Sequence, residues 1–178
     1  MQVTLPDGTI KQFETSPTGF DVAASIGEGL LRAAVAIEVN GVEQDLSEAI
    51  EDNAQVNILT TRTPAGLDIM RHTITAQVLA RACRELFPGC KLAIGPTIEN
   101  GFYYDIEFDR ALTLDDLPGI EKRMTEIIAA KASITRKMLP RDEVLELFKS
   151  RDEPYKICLL YTSPSPRDIS GSRMPSSA

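Results

Sequence analysis

The sequence predicts an α+β protein built in two folded parts. From residue 1 to about 62, apolar residues alternate with a period of two between turn signals, and beyond residue 66 the period lengthens to about 3.6. The 178 residues are 43% hydrophobic, 25% charged and 6% aromatic, the balance of an ordinary globular chain with room for one domain or two small ones.

Val3 and Leu5 mark a first strand, Pro6-Asp7-Gly8 a turn, and Ile10 to Glu14 a returning strand. Asp21 to Ile26 reads as a short helix that turns Phe20, Ala23, Ala24 and Leu30 inward. Val35 to Val39 is a strand that turns at Asn40-Gly41, and Gln55 to Leu59 supplies the last strand, with Val56 and Ile58 on one face. The order strand, strand, helix, strand, strand describes a small sheet packed on one helix. Thr60 to Gly66, with Pro64 and Gly66, reads as a linker.

Leu67, Met70, Ile74, Val78, Ala82 and Leu86 then fall on one stripe, so residues 67 to 87 are expected to form a helix that ends at Pro88-Gly89. Lys91 to Ile94 and Gly101 to Phe108 read as strands flanking Gly95-Pro96, the second rich in aromatic residues. Thr113 to Asp116 has the form of a capping box, opening a helix with Ile120, Met124, Ile127 and Ile128 on one side. Another helix is expected from Pro140, carrying Val144, Leu147 and Phe148. Residues 158–178, dominated by Ser, Thr and Pro, show no period able to bury a core and are expected to be unstructured.

The net charge of -7 is unevenly spread. Residues 1–62 hold 3 Lys/Arg against 10 Asp/Glu, whereas residues 63–157 hold 14 against 15. An acidic first part is poorly suited to non-specific contact with phosphate backbones, while the near-neutral second part can still present a basic face. Apolar residues never run far enough to cross a bilayer and the start has no basic n-region or apolar h-region, so no membrane partner and a cytoplasmic location are expected. The three cysteines, Cys83, Cys90 and Cys158, form no C-x-x-C, and with His72 as the one histidine they have no zinc-ligand spacing; no metal is expected in this chain.

Leu5-Pro6-Asp7-Gly8 and Val39-Asn40-Gly41, in this strand order, resemble the TGS domain, a ubiquitin-like β-grasp module. The stretches Leu67-Asp68-Ile69-Met70-Arg71-His72, Arg84-Glu85-Leu86-Phe87-Pro88 and Leu92 to Asp105, with its Gly95-Pro96 and Gly101-Phe102-Tyr103-Tyr104, resemble the start of the editing domain that follows TGS in bacterial threonyl-tRNA synthetases. A GTPase host of TGS would need a G-x-x-x-x-G-K-[ST] loop, which this sequence does not contain. The resemblance implies a TGS domain over 1–62, the first part of an editing domain over 63–157, and a tail, 158–178, that looks like read-through into foreign sequence.

It also implies a function. Members of this family join threonine to its tRNA with ATP and hydrolyse mischarged seryl-tRNA; their ATP, magnesium and zinc sites belong to a core outside the matched region, so no cofactor is expected here. The implied partners are tRNA and, through that core, a second copy of the parent chain. The family's editing site uses an H-x-x-x-H on a helix and a later C-x-x-x-H, imidazoles suited to proton transfer near neutral pH. In this sequence His72 takes the first place and Gln77 the second, with Thr73-Ile74-Thr75-Ala76 one residue longer than the usual spacer. Five residues apart, the two would sit about 140° around a regular helix. Either the helix begins after the extra residue or the pair is broken, and a glutamine orients water without carrying a proton. Lys156 and Tyr104 match residues lining the same cleft, a cation for a tRNA phosphate and a weaker aromatic candidate. Two other readings remain open: a stand-alone TGS binding module, and a trans-editing hydrolase, which would need the later C-x-x-x-H.

Overall fold

The computed structural model describes residues 1–132, 134, 135 and 137–162. The described residues form two compact units, one of Met1–Ile74 with Thr97–Phe102, the other of Thr75–Pro96 with the described residues from Tyr103 onward.

The first unit is a mixed five-stranded sheet in the order β2-β1-β5-β3-β4, crossed by a helix. Strands β1 (Gln2–Thr4) and β2 (Ile10–Gln12) make the expected hairpin, whose Gly8 takes φ 83° at the turn. Strand β5 (Ala54–Thr60) runs parallel to β1 and antiparallel to β3 (Ala34–Val39), the β-grasp arrangement. Asn40 and Gly41, both at positive φ, turn β3 into β4 (Val42–Gln44). This fifth strand lies outside the four expected from sequence, because its three residues, Val-Glu-Gln, are too few and too polar to show a period.

Helix α1 (Gly19–Ile26) starts from a reciprocal capping box between Thr18 and Asp21. Gly19, Val22 and Ala23 face the sheet; Phe20 and Ala24, expected inward, are exposed. The face is set by Gly19, where a Cβ would lie 2.9 Å from Leu46 Cδ2 and 3.1 Å from Ile37 Cγ2. Helix α2 (Glu28–Ala33) leads directly into β3. The core gathers Val3, Val22, Ile37, Val39, Val56 and Ile58 with Leu46 and Ile50 from the long β4–β5 connection.

Thr60 to Gly66 is not a loose linker. Thr63 caps α3 (Pro64–Thr73) through Gly66 N–H at 3.1 Å, and Gly66 lies so close to Thr60 that a Cβ there would stand 2.1 Å from its carbonyl oxygen. The helix therefore begins three residues earlier than its apolar stripe suggests and leaves Leu67 exposed. Helical winding continues through a π-helical segment, Ile74–Leu79, into α4 (Ala80–Leu86). Of the two alternatives left open by the extra residue, a helix that starts after it is excluded: the winding loosens there to i→i+5 bonding, which takes up one additional residue without ending the helix.

In the second unit β6 (Lys91–Leu92) pairs with β9 (Ile106–Glu107). The expected aromatic strand 101–108 is two pieces: Gly101–Phe102 (β8) pairs with Thr97–Ile98 (β7) in the first unit, and β9 belongs to the second. The Thr113 capping box is present and opens a short 3₁₀ turn, Leu114–Asp116, ahead of α5 (Leu117–Ala129), with Pro118 in the first turn. Helix α6 (Arg141–Ser150) follows Pro140 and buries Leu145 rather than its neighbour Val144, and α7 (Pro154–Thr162) completes the described chain. Cys158 to Thr162, expected to lack structure, form the second half of α7, where the Leu160 carbonyl accepts a bond from Arg141 at 2.6 Å; the rest of that expectation concerns 163–178, outside the described residues.

Two measurements check this account. Gly66→Ala should destabilise the chain by about 1–3 kcal/mol or more in thermal or urea unfolding, because backbone must move, whereas Gly29→Ala, in an open position of α2, should be neutral or stabilising by up to about 1 kcal/mol. Asp116 is held well below the usual carboxylate range, first by Arg110 and then by the Thr113 backbone, so its stabilisation is full above the unfolded value of about 4 and is lost as pH falls through its folded value. Asp116→Asn should accordingly lower the unfolding midpoint at pH 7, and the difference from wild type should close as the solution is acidified below pH 4.

Candidate functional site

The second unit assembles its polar cluster on three short stretches. Gly95 lies flat against Tyr104: a Cβ at Gly95 would stand 2.8 Å from Tyr104 Cδ2 and 2.9 Å from Thr75 Cγ2. The backbone can approach this closely only where the residue has no side chain, and the ring is thereby seated beside the β6 end. Ala93 N–H donates to Asp105 O at 3.0 Å and Asp105 N–H to Ile94 O at 2.8 Å, which ties 93–94 to the residue after Tyr104.

Lys156, in the first turn of α7, closes the cluster. Its Nζ donates to Ala93 O at 2.8 Å and to Tyr104 Oη at 3.4 Å, and stands 5.6 Å from the Tyr104 ring centroid. Burial pushes the Lys156 amine below its ordinary value, and the Glu153 carboxylate opposes that shift. Burial also raises the Tyr104 phenol, with Glu153 and the thiols of Cys83 and Cys90 acting in the same sense and Arg84 against them. A half-buried ammonium with one carbonyl and one phenol as partners retains donor capacity for an anionic oxygen.

Of the four residues singled out in the sequence, Lys156 and Tyr104 come together. Gln77 lies in the same unit on another side of the helix, lining an open groove of about 370 Å³ with Val78, Arg81, Ile127 and Ile128. It lies two positions on from Thr75, whose methyl borders Gly95, and such a step places side chains on roughly opposite faces of a helix. His72 is exposed in the last turn of α3, in the first unit. Sequence reasoning passed over Glu153 and Arg84, an ion pair at 2.8 Å, because single charges in a charged stretch carry no pattern.

Among the described residues no group of three or more His, Cys, Asp or Glu could hold a metal ion, and no helix is long and apolar enough to cross a membrane.

The TGS domain family matches residues 1–60. A threonine–tRNA ligase from Gluconacetobacter diazotrophicus is 47% identical over 168 residues, 94% of this chain and 26% of the relative. Those from Herminiimonas arsenicoxydans and Polynucleobacter necessarius are each 46% identical with the same coverage. The chain thus spans about a quarter of the length of the curated relatives it matches. Since 168 matched residues exceed the 157 that precede Cys158, the match runs past that point.

The cysteines give a direct check on the second unit. Cys83 is 1% exposed and burial pushes its thiol up to about 11, with Cys90 adding to the shift; Cys90 is half-buried and also raised, and Cys158 is exposed. Alkylation with iodoacetamide near pH 8, followed by peptide mapping, should modify Cys158 first, Cys90 more slowly, and Cys83 only on unfolding.

Proposed function

We propose that this chain, which carries a TGS domain and is similar over nearly its whole length to threonine–tRNA ligases, is the amino-terminal part of such an enzyme. The similarity of 44–47% across 94% of the chain carries the reading. The parent enzyme would join threonine to its tRNA with ATP and remove serine from mischarged tRNA in the cytoplasm. ATP, magnesium, zinc and the contacts of a homodimer would belong to the larger part of the relatives that this chain does not span, and no residue here is assigned to them.

Within that role the second unit would supply one wall of the proofreading cleft. Lys156 would bind an anionic oxygen of the tRNA end, and Tyr104 would hold its amine in place from the side while packing on Gly95. His72 and Gln77 would contribute little chemistry by themselves. Histidine can move a proton at neutral pH, but the glutamine at the second position can only orient water. Binding without useful hydrolysis is the expected behaviour. That separates this reading from a trans-editing hydrolase, and the tRNA dependence separates it from a TGS module with some other ligand.

The test is binding of a labelled threonine-tRNA acceptor-stem hairpin, with seryl-tRNA decay measured alongside. The chain should bind the hairpin with salt-sensitive affinity, and Lys156→Met should weaken binding by about tenfold, the loss of one charge-assisted hydrogen bond. Seryl-tRNA should decay at the same rate with wild type, His72→Ala and buffer. Acceleration abolished by His72→Ala would establish the trans-editing alternative, and binding unaffected by Lys156→Met would remove the assignment of Lys156.

A further inference from the structure

Glu153 is the most deeply buried acidic residue among the described residues, 5% exposed at the entry to α7. Its Oε1 pairs with Arg84 Nη1 on α4 at 2.8 Å, and its Oε2 has no hydrogen-bond partner among the described residues. A carboxylate in that condition is retained against a desolvation cost, which calls for a reason beyond filling space. Its backbone is pinned as well. The Glu153 N–H donates to Phe148 O at the end of α6 (3.0 Å), and its carbonyl accepts from Ile157 N–H (3.1 Å), the first turn of α7. Pro154, at the first helical position, fixes the direction in which that turn leaves.

Lys156 lies three residues on, so Glu153 and Lys156 share one side of the first turn. The geometry points to Glu153 as a positioning residue: clamped by Arg84, its carboxylate sets the first turn of α7 so that the Lys156 ammonium meets Ala93 O and Tyr104 Oη. Arg84 is part of the device. It holds Oε1, and so keeps the buried carboxylate from collapsing onto the lysine and cancelling the charge that an anionic ligand would meet.

The surrounding groups fit this role. Lys156 bonds to Tyr104 and lies within the field of Glu153; the charged and titratable groups that act on Tyr104 are Glu153, Arg84, Cys83 and Cys90, and those that act on Cys90 are Arg84, Glu153 and Asp109. On β6, Lys91 stands 3.8 Å from Asp152, the residue before Glu153. The one carboxylate favours the protonated form of all three groups around it, ammonium, phenol and thiol. Burial disfavours the charged amine, and the Glu153 carboxylate acts against that effect.

This inference rests on the reading of Lys156 as the anion-binding amine, and its test separates the two. The chain is reductively ¹³C-methylated, and the Lys156 dimethylamine resonance, identified by its loss in Lys156→Arg, is titrated by NMR in wild type, Glu153→Gln and Arg84→Met. Glu153→Gln removes the charge at constant shape and should move the Lys156 midpoint down. Arg84→Met frees the carboxylate and should move it up. Opposite shifts of this kind cannot come from general loosening of the fold. In parallel, Cys90 alkylation should quicken by roughly threefold in Glu153→Gln and slow in Arg84→Met, because the thiolate fraction follows the same field.

Unchanged midpoints in both variants, or shifts in one direction, overturn the proposal. Cys83 reports on folding throughout. If it becomes reactive in Glu153→Gln, the Arg84→Met arm decides alone, and a midpoint that does not rise there overturns the proposal. If the midpoints shift as stated while hairpin binding is indifferent to Lys156→Met, the positioning role of Glu153 stands and the anion-binding reading falls.

Discussion

The parallel pairing of β1 with β5 is the contact on which the first unit depends. Val3 and Thr4 are set beside Ala54 and Gln55, some fifty residues away in the chain, and this closure joins the two hairpins into one sheet. Strand β5 then has a partner on each side, the N-terminal hairpin on one and the β3–β4 hairpin on the other. A parallel neighbour requires a crossover, and the connection from β1 to β5 includes α1, laid on the sheet with Gly19 against Leu46 and Ile37. Leu46 and Ile50 reach the core from an irregular segment because Thr18 bridges to Ala49 and Ile50 N–H donates to Pro17 O at 2.8 Å. The edge strands β2 and β4 have three residues each, too short to recruit another sheet.

The second unit is organised differently, by close approaches and charge rather than by a broad sheet. Its strand pairing is two residues long, and its helices are held by Arg84 on Glu153, Arg123 on Glu85 and Glu126, and Arg141 on the Leu160 carbonyl. The solvent-accessible pairs, Arg123 with Glu85 and Glu126, contribute about 0–1 kcal/mol each, so the unit relies on its few buried apolar residues, Ala80, Ala82, Cys83, Leu92, Ile120, Ile127 and Leu145, and on the buried Glu153 that Arg84 holds. Many large apolar side chains remain exposed around them, including Leu114, Leu117, Ile128, Ile134 and Met138.

Most of the first unit was legible in the sequence because its signals are local: Pro6-Asp7-Gly8 and Asn40-Gly41 state their turns, and Val56 and Ile58 state their face. The short helix α1 was read with its face rotated, because Phe20 and Ala24 are as apolar as Val22 and only the packing of Gly19 decides between them. The start of α3 was hidden by Pro64 and Gly66, residues that usually mark a loop and here serve as a first-turn proline and a contact glycine. At the candidate site, the pairing of Lys156 with Tyr104 could be found only through family resemblance, since fifty-two residues separate them. Arg84 stood in a stretch that carried the resemblance, but its pairing with Glu153 left no signal, because burial is what distinguishes Glu153 from the other charges of the chain.

The π-helical segment Ile74–Leu79 has a consequence for how this chain tolerates change. In a uniform α-helix, one inserted residue rotates everything after it by about 100°, and each downstream side chain arrives on the wrong side. A single i→i+5 turn confines that rotation to its own length, so Ala80, Ala82 and Cys83 keep their inward places while the helix carries one residue more. The helix holds slack at one spot and register everywhere beyond it. Insertion and loss of a residue there become small steps between two wound states of the same element, a route by which spacing along the helix can vary while the hydrophobic core below it is left alone.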